Sequence, residues 1–218
     1  PIWTRQELER LGDLCEQYDI KVVSDEIHCD FTWPGHSHIP LPTVSRALKK
    51  RTVLCTAPTK TFNLAGLQIS NIFIEDPALR KRFQAEVART GYSQANSLGL
   101  KACEAAYRDG EDWLEALKDY LWGNLTWLRD AVQQIPNLAM QAPEGTYLAW
   151  LDCAGLGLDS LELEDLILNR AGLWLDSGSL FGKDCSQFER INVACPRKTL
   201  EQAVNQLKRA IQAKEAFL

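Results

Sequence analysis

The stretch Thr52-Val53-Leu54-Cys55-Thr56-Ala57-Pro58-Thr59-Lys60-Thr61-Phe62-Asn63-Leu64-Ala65-Gly66-Leu67-Gln68 runs an apolar strand signal into a Pro/Thr turn that delivers one lysine. In open α/β sheets, ligands bind outside the carboxyl ends of the strands, so a strand leaving on such a turn is where function is expected. Most lysines are solvated surface charges. The placement of Lys60, after a strand end and before the short apolar run with Gly66, also suits a desolvated amine tuned for Schiff-base chemistry.

Composition excludes several classes. With 45% hydrophobic and 24% charged residues, the 218-residue chain reads as one globular domain or two small ones. Twenty-four basic against 29 acidic residues are spread along the chain, so no basic stripe points to nucleic acid. Seven cysteines, an odd number without a CxxC pair, read as reduced thiols rather than a disulfide framework. No apolar run approaches the roughly 18 residues that span a bilayer, and a cytoplasmic location is expected. The chain opens on Pro1 and enters a helix signal at once, as part of something longer would.

Taken in order, Thr4-Arg5-Gln6-Glu7 is a capping box that predicts an amphipathic helix over 5–17. Residues 20–23 suit a buried parallel strand, with Asp25 just beyond it. A Pro-rich loop over 32–43, a short helix over 44–49, strands at 52–55 and 69–74, and helices over 78–89 and 98–107 follow. Residues 112–134 carry apolar side chains at intervals of mostly three and four and read as one long helix leading into a second domain. Beyond it, 139–141 and 146–151 form a hairpin-like pair, 161–171 a helix closed by Gly172, 173–175 and 190–194 strands, and 199–216 a final amphipathic helix. The fold class is therefore α/β.

Asp25 and Lys60 each follow a strand, so both could face one crevice. Asp25 has an ordinary reading as a turn cap. Its functional reading is a carboxylate that keeps a heteroaromatic nitrogen protonated, which with a lysine is the pair a pyridoxal phosphate (PLP) enzyme needs. His28, His36 and His38 lack a clustered Cys or carboxylate set and read as loop histidines, so no metal is expected. The run 178–184 lacks the spacing of a P-loop, and Gly155-Leu156-Gly157 lacks the third glycine of a dinucleotide fingerprint.

Four separated motifs carry a resemblance: Val22-Val23-Ser24-Asp25-Glu26-Ile27-His28, Thr56-Ala57-Pro58-Thr59-Lys60-Thr61-Phe62-Asn63, Glu144-Gly145-Thr146-Tyr147-Leu148-Ala149-Trp150-Leu151-Asp152 and Arg190-Ile191-Asn192-Val193-Ala194-Cys195-Pro196-Arg197. Together they resemble the fold-type I, class I/II aminotransferase superfamily, and within it the cystathionine β-lyase branch of PLP-dependent carbon–sulfur lyases. The resemblance implies residues 1–111 as the remainder of a PLP-binding large domain with a mainly parallel sheet. Residues 112–136 become a connecting helix and 137–218 a C-terminal α+β small domain. It implies Lys60 as the lysine that carries PLP as an aldimine and moves the substrate Cα proton. Asp25 pairs with the pyridine nitrogen, His28 stands near the 3-hydroxyl, Thr59 offers a hydroxyl beside the lysine, and Arg197 grips the substrate carboxylate. Ala57 and Gln68 depart from the pattern, since relatives usually carry a hydroxyl and a phosphate-binding arginine there. The superfamily's phosphate loop and ring-stacking aromatic precede the region where this chain begins, so the resemblance implies the C-terminal portion of an enzyme nearly twice as long. The implied activity is α,β-elimination on a sulfur amino acid by a homodimer. Amino-group transfer uses the same residues, and a catalytically silent fragment or dimerisation module is the reading from another class.

Overall fold

The computed structural model describes residues 2–215 and divides by compactness into two units, Pro1–Ala116 and Leu117–Leu218. In the first unit, α1 (Arg5–Gln17) starts on the expected capping box, with the Thr4 side chain accepting from the Glu7 N–H and Glu7 reaching back to the Thr4 N–H. Each of the two side chains thereby satisfies a backbone N–H that the first helical turn leaves without an intrahelical partner. Leu8 of α1, Leu41, and Leu48 of α2 (Arg46–Arg51) pack together as a core cluster. Gly12 makes the approach possible, because a Cβ there would stand 3.0 Å from Leu48 Cδ1.

Strands β1 (Val22–Asp25), β2 (Thr52–Thr56) and β3 (Asn71–Ile74) form a three-stranded sheet in that order. The β1–β2 pair is parallel and β2–β3 antiparallel, so the sheet is mixed. The strand expected from residue 20 starts two residues later. Ile20 is spent on closing α1: Asp19 turns left-handed at φ 47° and the Ile20 N–H donates to the Cys15 carbonyl at 2.9 Å. Nor is the strand buried, because Ile20 and Val23 are 47% and 72% exposed. The one-turn helix α3 (Pro58–Thr61) follows β2, and α4 (Pro77–Arg89), α5 (Ser97–Asp109) and α6 (Glu111–Val132) complete the run of helices.

The second unit holds an antiparallel sheet of order β4-β5-β7-β6, with β4 (Ala139–Met140), β5 (Leu148–Asp152), β6 (Asp176–Ser177) and β7 (Phe188–Asn192). Its core draws Leu121, Leu125, Leu128 and Val132 from α6, Ala149 and Leu151 from β5, and Leu200, Leu207 and Ile211 from α8 (Arg197–Glu215). The spacing of four, three and four along α6 is the expected helical stripe. The final position expected for α8, Ala216, lies outside the described residues. Helix α7 (Ser160–Asp165) widens into a π turn over Leu166–Arg170, and Gly172 leaves it at φ 65°. That exit overturns the strand expected at 173–175. The Leu173 N–H closes the helix on the Ile167 carbonyl at 2.9 Å, Trp174 stands 94% exposed, and pairing begins only at Asp176. Among the described residues no helix is long and apolar enough to cross a membrane.

Candidate functional site

In the first unit the site grows from the parallel register of β1 and β2, which sets Asp25 beside Cys55. The Glu26 N–H extends the pairing by donating to the Cys55 carbonyl at 2.9 Å. Asp25 and the turn that carries Lys60 therefore leave the sheet at the same carboxyl edge. Asp25 is exposed, and its Oδ1 accepts the Ile27 N–H at 3.3 Å. The turn-capping reading thus holds for one oxygen and leaves the other out of the turn.

Lys60 is the third residue of α3. Ala57, Pro58 and Thr61 are buried, and Thr61 donates from Oγ1 to Asp30 Oδ2 at 2.6 Å, so the turn is nailed down on its inner side. The same geometry turns Lys60 outward, where it is exposed. The desolvated amine expected from sequence is therefore not what these residues build: the inner face of a one-turn helix is taken by Pro58 and Thr61. Thr59 and His28 are half-buried, with the His28 ring 6.5 Å from that of Phe31. Beyond the lysine, Phe62 stacks on Trp113 at 5.8 Å and meets Tyr107 edge-on. Gln68, the neutral departure, is exposed and left-handed at φ 50°.

Glu26, to which sequence reasoning gave no role, holds the loop under this edge. Its carboxylate accepts from Ser24 Oγ at 2.8 Å and the Leu41 N–H at 3.0 Å, and it meets His38 Nε2 at 2.6 Å. Burial alone pushes its pKa up, but the bonds from His38, Leu41 and Ser24 outweigh it and hold the carboxyl below the usual range. His38 is thereby a structural loop histidine, and the described residues contain no group of three or more side chains that could hold a metal. The thiols nearby are poor nucleophiles. Burial first, then the charges of Asp30 and Glu26, pushes Cys29 up to about 11, and burial with the Asp25 charge raises Cys55.

The predicted Arg197 belongs to the second unit, at the start of α8. Its Nε donates to Asn124 Oδ1 at 2.8 Å, its backbone N–H to Tyr120 Oη at 2.7 Å, and its guanidinium lies 5.2 Å from the Trp127 ring centre. Asn124 is fully buried and donates from Nδ2 to the carbonyls of Val193 and Cys195. Seven residues upstream, Arg190 of β7 donates from Nε and Nη2 to Asp176 Oδ2 at 3.1 and 2.7 Å and lies over the Phe181 ring at 4.6 Å. Trp150 meets Phe181 and Phe188 edge-on beside it. Sequence reasoning passed over Arg190 although it opens the same motif. The available signal was its place within an alternating strand, where residues two apart share a face.

The family described as aminotransferase class I and II matches residues 1–207. Cystathionine beta-lyase PatB of Bacillus subtilis is 37% identical over 210 residues, covering 96% of this chain and 54% of that protein. Protein MalY of Escherichia coli is 37% identical over 214 residues, covering 97% and 54%. Among solved structures, cystalysin from Treponema denticola, which contains a pyridoxal 5'-phosphate cofactor, matches with a TM-score of 0.94 at 33% identity, over 97% of this chain and 54% of that one. The chain spans about half the length of the curated relatives it matches.

Proposed function

The chain belongs to the aminotransferase class I and II family, and from that premise we propose that it is the lysine-bearing portion of a PLP-dependent carbon–sulfur β-lyase, acting on a sulfur amino acid to give a thiol, pyruvate and ammonia. One observation carries the reading: the parallel register that brings the exposed Asp25 and the turn of Lys60 to one sheet edge. The preference for a lyase over amino-group transfer rests on the likeness to PatB. The domain assignment goes with it: residues 1–111 as large domain, 112–136 as connecting helix and 137–218 as small domain. A cytoplasmic homodimer is the proposed assembly.

The donor chemistry at the edge fits PLP. An exposed primary amine can reach an aldehyde, and an adjacent carboxylate oxygen outside the Ile27 turn can hold a pyridine N–H. Thr59 and His28 are the further cofactor contacts proposed, at the phosphate side and the 3-hydroxyl. Neutral Ala57 and Gln68 leave the phosphate's charge to groups outside this turn. When bound, the cofactor supplies an electron-poor ring that accepts charge from the substrate's Cα. The Lys60 amine takes the proton from Cα, Asp25 holds the proton on the ring nitrogen, and the β-thiolate departs as the leaving group.

The substrate carboxylate falls to an arginine, whose fork matches a carboxylate in two places. The resemblance points to Arg197. Arg190 is the weaker candidate, because its fork is already paired with the carboxylate of Asp176 against an aromatic wall. Arg197 spends its Nε and backbone N–H on anchoring α8, and among the described residues no hydrogen bond takes its Nη groups, which stay available to a carboxylate.

The test is to supply PLP to the purified chain, reduce with borohydride and map the labelled peptide, expecting label on Lys60 and none in Lys60→Ala. Label elsewhere, or none, sinks the assignment and leaves the silent-module reading. On a loaded enzyme, pyruvate release without added keto acid marks the lyase, and keto-acid-dependent transfer marks the aminotransferase. Lysine substitutions at Arg190 and Arg197, each tested for a rise in KM for the amino acid, decide the carboxylate grip.

A further inference from the structure

Strand β7 places two opposite charges on opposite faces of one ladder. Arg190 stands across from Asp176 and is paired with it, whereas Glu189 stands across from Ser177. Glu189 is only 2% exposed, yet among the described residues no cation faces its carboxyl. The charged groups that act on it, Glu164 from α7 and Asp176 from β6, are both acidic. The neighbouring Cys153 thiol is neutral, pushed up to about 12 by burial first and then by Glu189 and Asp152. Glu189 lines a recess of about 70 Å³ together with Glu164, Ile167, Leu173, Trp174 and Ser177. Its floor is a buried carboxyl, its walls are aliphatic, and at its rim is the indole of Trp174, 94% exposed.

We propose that this recess is a binding site for a primary ammonium group on a short alkyl chain, with the Glu189 carboxylate as counter-ion. An ammonium carries three donors and no acceptor, which matches a site lined by the carboxyls of Glu189 and Glu164 and by the Ser177 hydroxyl, itself bonded to Ser179 Oγ at 2.8 Å, with no competing cation among the described residues. The alkyl stem matches Ile167 and Leu173, with the Trp174 indole beside its outer end. A divalent metal is the poorer match, because the described residues hold no group of three or more ligating side chains and the walls of this recess are aliphatic. The π turn of Leu166–Arg170 brings Ile167 to the wall and feeds the Gly172 exit that throws Trp174 outward, so the recess is a product of an irregular backbone of the kind often found at functional sites. Occupancy of this recess does not rest on the reaction proposed above, and its test does not depend on activity.

Burial, followed by the charges of Glu164 and Asp176, pushes the Glu189 carboxyl up to about 7. Since the ammonium needs the ionised form, its affinity should rise as pH passes through that value. The full chain is titrated calorimetrically with propylammonium chloride at pH 6 and pH 8, with n-propanol as neutral control. The expected result is binding about tenfold tighter at pH 8, the ratio of ionised fractions for such a group. It should be lost in Glu189→Gln, weakened several-fold in Trp174→Ala, and not reproduced by propanol. Equal binding by Glu189→Gln and the unsubstituted chain, equal binding of propanol, or no binding at either pH overturns the proposal. Should Glu189→Gln not fold, the carboxyl carbon of Glu189 is followed by NMR in the unsubstituted chain. Its apparent pKa must then fall when propylammonium is added, and an unmoved titration refutes the site.

Discussion

Glu26 and Glu189 are glutamates withdrawn from water to similar degrees, at 7% and 2% exposure, yet they ionise in opposite directions. Glu26 follows a strand end and collects a hydroxyl, a backbone N–H and a histidine, and its pKa falls below the usual value. Glu189 lies within a strand, where the neighbouring backbone groups are committed to the ladder and the nearby charges are acidic, and its pKa rises. Burial is common to both and cannot explain the difference. What separates them is whether the chain supplies donors: a satisfied carboxylate organises a loop, and an unsatisfied one stands ready for a proton or an external cation.

The contrast can be broken most forcefully at Glu26. Glu26→Ala removes an acceptor shared by three donors, two of which are left facing a buried void, and should cost about 3–5 kcal/mol in urea unfolding. The advantage of Glu26 over Glu26→Gln should be present above the ordinary glutamate pKa and disappear as pH falls through its lowered folded value, because the native state favours the ionised form. A penalty that persists unchanged in acid would mean that shape, not charge, is what Glu26 contributes.

Glu189→Gln should do the reverse, with a smaller magnitude. Its folded pKa of about 7 lies above the ordinary 4.5, so the native state favours the neutral form and the cost of ionising it appears as pH rises between these values. At about 1.4 kcal/mol per unit, the amide variant should be more stable by about 3 kcal/mol at pH 8 and by under about 1 kcal/mol at pH 5. An unchanged difference between the two pH values would remove the contrast between the two glutamates. The mildest change is His38→Ala, which takes one of Glu26's partners. Because the His38 side chain is 29% exposed and water can replace it, about 1–2 kcal/mol is expected, by the same unfolding measurement. A loss as large as that of Glu26→Ala would place the weight of the loop on the histidine.

Much of this molecule is local physics. The Thr4-to-Glu7 box starts α1, the stripe of α6 repeats at three and four, and the strand, proline and lysine of 52–60 fold as their order dictates. The candidate site was legible to the same depth: Asp25 and Lys60 stood out as candidates because each sits beside a strand end. The roles of Glu26, Asn124 and Arg190 were not, because their partners lie 12, 73 and 14 residues away. Even the misplaced strand at 173–175 has this cause, since its apolar character is genuine but a π turn and a left-handed glycine decide where pairing begins.

The sequence by itself thus determined the α/β class, the helix starts and the order of the chemistry-bearing residues, since caps, periodicity and turn residues act within a few positions of one another. Only the tertiary structure decided that Asp25 and the Lys60 turn share one edge, that Lys60 faces outward, and that, among the described residues, buried Glu26 has donors while buried Glu189 has none. Strand register and side-chain pairing across tens of residues depend on where the rest of the chain has gone, and a one-residue slip would turn each of those side chains to the opposite face.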